Sequence, residues 1–121
     1  MDIKKTLILG ATSDTSRYAY LAANRLADLG HTIVNAGVQT GIVAGVPIEL
    51  PEMIYDDIHT ITLYISPRKQ AILYNYILDT NPRRIIFNPG TENHKLQQLA
   101  TERGIMTECA CTLVLLATDQ Y

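Results

Sequence analysis

The chain of 121 residues has no tryptophan, one phenylalanine and two cysteines, and each scarcity closes off a class of explanation. Cys109 and Cys111 cannot make a disulfide framework. Their C-x-C spacing fits neither a zinc pair nor the C-x-x-C redox motif, and a bridge between residues so close along one backbone would be strained. Excess charge is missing too: ten Lys and Arg against twelve Asp and Glu give a formal net charge of -2. The basic pairs Lys4-Lys5, Arg68-Lys69 and Arg83-Arg84 are dispersed rather than gathered into a stripe, so no nucleic-acid footprint is visible. No apolar run approaches the roughly 18 residues of a membrane span. The opening Met1-Asp2-Ile3-Lys4-Lys5 leads into a strand-like run without a signal-peptide pattern, so the expectation is a cytoplasmic protein with no membrane partner. His31, His59 and His94 stand in separate segments without metal-ligand spacing, and loop or cap positions account for them. No paired carboxylates and no Ser/His/Asp arrangement emerge, so neither a metal site nor a catalytic residue is expected.

What is present is material for a core. Hydrophobic residues make up 47% and charged residues 18%, enough to offset the ordering entropy of one domain spanning residues 1–121. Thr6-Leu7-Ile8-Leu9 reads as a strand buried on both faces. The polar stretch Thr12 to Ser16 supplies N-cap candidates for a helix with Tyr18, Leu21, Ala22, Leu26 and Leu29 on its inner side, closed by Gly30. His31 to Asn35 is a second strand, making a βαβ unit with parallel pairing. Gly37 to Pro51, with three glycines, reads as turns and an edge strand or hairpin. Thr60 to Ile65 is a further strand, Ser66-Pro67 the N-cap and first residue of a helix through Ile72, Leu73, Tyr76 and Ile77 that stops near Asn81-Pro82. Arg84 to Asn88 is the next strand, Asn93 to Arg103 a helix with Leu96, Leu99 and Ala100 inward, and Ile105 to Cys109 the last strand. Regular alternation of strand and helix predicts a doubly wound α/β domain with a mainly parallel sheet of five or six strands and helices on both faces.

Ligands in such folds lie beyond the carboxyl ends of the strands, where the strand order reverses. Gly10-Ala11-Thr12-Ser13 makes a tight exit from the first strand, and helix N-terminal amides with their dipole favour an anion there. Arg17, one turn in, would add a charge-assisted bond. Against G-x-G-x-x-G the second and third glycines are absent, and Asn35 stands where an NAD site wants an acidic residue, so NAD(P) is disfavoured. A strand-helix turn with a good cap is the competing reading of the same residues.

Four segments read together carry a resemblance: Thr6 to Thr12 with Arg17, Val34-Asn35, Asn88-Pro89-Gly90-Thr91-Glu92-Asn93, and Gly104-Ile105 leading to Cys111. The series resembles the small stand-alone CoA-binding domain proteins, relatives of the CoA-binding domain of the succinyl-CoA synthetase α subunit, from Lys5 to Leu116. The resemblance implies a Rossmann-like fold and binding of coenzyme A or an acyl-CoA, a small nucleotide ligand, without evident catalysis. It assigns the pyrophosphate to Gly10, Ala11, Thr12 and Ser13, with Arg17 on phosphate. The adenosine would lie between Asn35 with its adjoining loop and the Ser66-Pro67 turn, and pantetheine along Pro89, Gly90 and Thr91. Val34 to Gln39 carries no charge, leaving a 3′-phosphate without an identified partner.

The alternatives are an enzyme, either NAD(P)-dependent or acyl-transferring through Cys111, or an interaction protein that kept the fold and lost its ligand. Cys111 also reads as a small buried hydrophobe, Glu92 as a helix-capping carboxylate, and Tyr76 as core. The apolar tail Leu113 to Ala117 would finish the core or form the seam of a homodimer.

Overall fold

A computed structural model describes residues 2–121. The strands are β1 (Thr6–Leu9), β2 (Ile33–Ala36), β3 (Ile42–Val43), β4 (Val46–Glu49), β5 (Thr60–Leu63), β6 (Arg84–Phe87) and β7 (Met106–Cys109). The helices are α1 (Tyr18–Asp28), α2 (Pro67–Ile72), α3 (Tyr74–Thr80), α4 (His94–Glu102) and α5 (Thr112–Ala117). They form a seven-stranded sheet in the order β3-β4-β2-β1-β5-β6-β7. Six strands run parallel, and the two-residue β3 is antiparallel to β4 at the edge. The α/β fold is the one the sequence predicts, with one strand more, because the glycine-rich stretch after β2 yields both arms of a hairpin. Ala44 and Gly45 turn that hairpin with positive φ angles of 54° and 79°, the geometry of a tight two-residue loop.

Pleating divides the core into two layers. Leu7, Leu9, Ile61, Leu63, Ile85 and Phe87 face α3 and α4, where Ile77, Leu96 and Ala100 cover them. Ile8 and Ile86 point the other way, beneath Ala19, Ala23 and Leu26 of α1 and Leu115 and Leu116 of α5. The apolar tail therefore completes the core, although Val114 stays exposed.

Three local readings are corrected. The inner side of α1 is Ala19, Ala22, Ala23 and Leu26, whereas Tyr18, Leu21 and Leu29 are outside it, with Tyr18 70% exposed. Alanine lets the helix lie close on the sheet, and a search for large side chains overlooks it. The residue at the N-cap of α1 is Arg17, not one of the hydroxyl or carboxylate residues from Thr12 to Ser16, and no side chain caps the helix. Finally, the helix after β5 breaks at Leu73, whose amide bonds the Gln70 carbonyl at 2.8 Å in a three-residue turn, giving α2 and α3 in place of one helix.

Candidate functional site

From β1 the chain first builds outward to β2 and β4, then crosses back to place β5 on the other side of β1. The order therefore reverses between β1 and β5, and their carboxyl ends leave a crevice. Two glycines set how closely its walls approach. Gly10 ends β1 at φ 99°, and a Cβ there would lie 2.8 Å from both the Tyr64 carbonyl oxygen and Ile65 Cγ2. A Cβ on Gly37 would lie 2.6 Å from the Ala11 carbonyl oxygen. Both backbones run past each other only because side chains are missing.

The crevice opens into a cleft of about 840 Å³. Gly10, Ala11, Thr12, Arg17, Ser66, Pro89, Gly90 and Thr91 line it, so eight of the residues proposed from sequence converge on one space. Three do not line it. Ser13 is exposed and its side chain packs toward Gly41. Pro67 is the first residue of α2. Asn35 is fully buried, its Nδ2 donating to the carbonyls of Val43 and Val46 at 3.1 Å each, which pins both arms of the β3-β4 hairpin. Its Oδ1 has no partner among the described residues.

Hydrogen bonding after β1 divides the loop amides into two sets. Gly10 and Ala11 donate to the Ala36 carbonyl, Asp14 N to Thr12 Oγ1, Ser16 N to the Asp14 carboxylate, and Arg17 N to the Asp14 carbonyl. The amides of Thr12, Ser13, Thr15, Tyr18, Ala19 and Tyr20 find no partner among the described residues. They are free donors at the positive end of an eleven-residue helix with no acidic residue in its first turn. Asp14 is the one carboxylate in the loop. The Ser16 hydroxyl at 2.7 Å and the Ser16 amide hold it below the ordinary carboxylate range, and Arg17 at 4.0 Å adds to this. Asp14 does not line the cleft.

A buried polar network fixes the opposite wall; it ties Asn88, Thr91 and Asn93 to Thr62, Gln70 and Thr112, three residues to which the sequence assigned no role. Asn88 Nδ2 donates to Thr62 Oγ1 at 2.7 Å and the Leu63 carbonyl at 2.8 Å, while Asn88 Oδ1 accepts from Thr112 N at 2.9 Å. The Asn88 carbonyl also accepts the Thr91 amide and hydroxyl. Gln70, wholly inaccessible, donates to the carbonyls of Ile65 and Thr91 and accepts from Asn93, whose Oδ1 caps α4 through Leu96 N. Nothing in a helix-facing glutamine distinguishes this role by residue type; only the tertiary position of Thr91 does. Glu92 bonds Gly90 N at 2.8 Å, bracing the turn rather than capping the helix.

Tyr64 forms part of the cleft floor, and burial pushes its phenol up to about 12, with the Thr112 and Thr62 hydroxyls pulling the other way. Cys109 is exposed at the end of β7. Cys111 lies beyond that strand, half-buried at the N-cap of α5, and neither lines the cleft. Among the described residues no three His, Cys, Asp or Glu side chains are grouped as metal ligands would be, and no helix is long and apolar enough to cross a membrane. A second cavity, about 820 Å³, lies at the opposite end of the strands, where β1, β5 and β6 begin, beside Lys5, Asp57, His59 and Arg83.

Residues 4–117 match the family described as CoA binding domain. The chain belongs to that family. Membership supports binding of coenzyme A in general, in the fold for which the cleft has just been described. The chain is 47% identical to a protein whose crystal structure is described as that of an uncharacterized protein, covering 100% of both chains with a TM-score of 0.98. Cell-free ID.343 from Thermus thermophilus is 18% identical over 98% of this chain and 91% of its own, with a TM-score of 0.83. A hypothetical protein from Pyrococcus horikoshii OT3 is 20% identical over 93% and 80%, with a TM-score of 0.82. These last two likenesses bear on the fold alone. No match was found among curated proteins.

Proposed function

We propose that the protein binds coenzyme A or an acyl-CoA in the cleft between the ends of β1 and β5, and that it holds the ligand without transforming it. The observation carrying this reading is the set of free amides at Thr12, Ser13 and the first turn of α1, beside a cleft lined by two cations and no Asp or Glu. In a chain with more acidic than basic side chains, such a wall selects for anions. A diphosphate would take the amides, with Arg17 at the helix start as its charged partner. The adenosine would lie between Gly37-Val38-Gln39 and the Ser66 turn, and pantetheine would run along Pro89-Gly90-Thr91. Asn35 serves this arrangement by pinning the hairpin after β2.

Binding without turnover is supported by what surrounds the cleft. Both thiols and all three histidines are absent from its lining, and Tyr64 is held as a neutral phenol at ordinary pH. The protein so equipped would sense or deliver its ligand in the cytoplasm.

Calorimetric and thermal-shift titrations with CoA, acetyl-CoA, NAD, NADP and ADP test the reading. CoA or acetyl-CoA at one hundred times its dissociation constant is expected to stabilise the fold by about 2.7 kcal/mol, with NAD and NADP weaker. No heat and no melting shift with millimolar CoA would overturn it. Acetyl-CoA recovered intact after long incubation is the expected outcome, and release of acetate or acetylation of Cys111 would contradict the non-catalytic part.

A further inference from the structure

The cleft has one cation besides Arg17. Lys69 lies on α2, one turn beyond Ser66, on the wall opposite the phosphate loop. Its side chain is exposed and has no ion-pair or hydrogen-bond partner among the described residues. Arg17, by contrast, stands 4.0 Å from Asp14. Lys69 lies in the last turn of the six-residue α2, where helix polarity accommodates a cation. Across the cleft, the stretch Asn35 to Gln39 offers no charge at all.

Resting on the CoA reading above, we propose that Lys69 receives the ribose 3′-phosphate of the ligand and is the residue by which the cleft distinguishes CoA from nucleotides lacking that group. With the diphosphate at the α1 amides and the adenosine between Val38 and Ser66, the 3′-phosphate projects from the adenosine side. Lys69 is the cleft's cation on that wall. A lysine suits the task as a compact point charge on a flexible stem, able to follow a terminal phosphate that has no fixed bidentate geometry. Arg68, its neighbour with the same charge, is not part of the cleft lining and provides an internal control.

The test is calorimetric titration of the full chain, unaltered and as Lys69→Gln, Lys69→Arg and Arg68→Gln, with CoA and with 3′-dephospho-CoA at low ionic strength. The unaltered chain and Arg68→Gln are expected to prefer CoA by roughly three- to tenfold, the scale of one partly screened charge-assisted contact, with the preference shrinking as salt is added. Lys69→Gln should abolish the preference by weakening CoA while leaving 3′-dephospho-CoA unchanged, and Lys69→Arg should restore most of it. Equal affinity of the unaltered chain for both ligands would overturn the assignment while leaving the CoA reading intact, as would a preference that survives Lys69→Gln. Binding of neither ligand by the unaltered chain would overturn both.

Discussion

At Gly10 two constraints coincide, a φ of 99° and backbone atoms of Tyr64, just past β5, where a side chain would start. Gly10→Ala is expected to lose on the order of 1–3 kcal/mol in denaturant unfolding and to weaken CoA binding, because relief of the clash must move the Tyr64 carbonyl and with it the cleft wall. The sequence made Gly10 legible as the end of β1. Gly37, whose role depends on the passing Ala11 carbonyl, is intelligible only in three dimensions. Gln70 makes the same point more strongly: read as one residue of a helix, it is the buried tie between Ile65, Thr91 and Asn93. Gln70→Ala should cost on the order of 2–4 kcal/mol by leaving two carbonyls and the Asn93 amide under-satisfied, and amide exchange at Gly90 and Thr91 should speed up. His31, buried before β2, accepts Lys4 N at Nδ1. Burial lowers its pKa below the usual value, helped by Lys4 and Arg84, and His59 moves the same way. An unfolded chain then binds more protons than the folded one, so stability is expected to fall as pH drops below about 6.5. His31→Gln should make that decline shallower in melting curves measured across the range.

Among elements, strand and helix order followed from apolar runs punctuated by Gly and Pro, and the structure has each segment named that way except that the one helix expected after β5 is divided into α2 and α3. Placement of faces was harder. On α1 Tyr18 and Leu21 lie outside while three alanines join Leu26 inside, since closeness to the sheet outweighs the area further large side chains would bury. The β3-β4 hairpin was visible from its glycines, but its anchor was not: Asn35 at the end of β2, where a ligand contact was expected, spends its amide on Val43 and Val46. Asn35→Ala is expected to destabilise the fold by about 1–3 kcal/mol, with faster hydrogen exchange confined to β3 and β4. If instead the loss falls on ligand affinity with exchange unchanged, the anchoring role is wrong.

Taken whole, the molecule has cavities at both ends of its sheet, similar in volume and different in character. One joins acidic, basic and imidazole side chains around Asp57 and His59; the other is free of carboxylates and faces the unpaired amides of α1. Switch-point topology favours the second. Mapping backbone amide chemical shifts during titration of the labelled protein with CoA examines this choice directly. The largest changes are expected at Thr12, Ser13 and Tyr18 to Tyr20, with a second group at Gly90 and Thr91. Shifts gathered around Lys5, His59 and Arg83, with the amides at the start of α1 unmoved, would contradict the account.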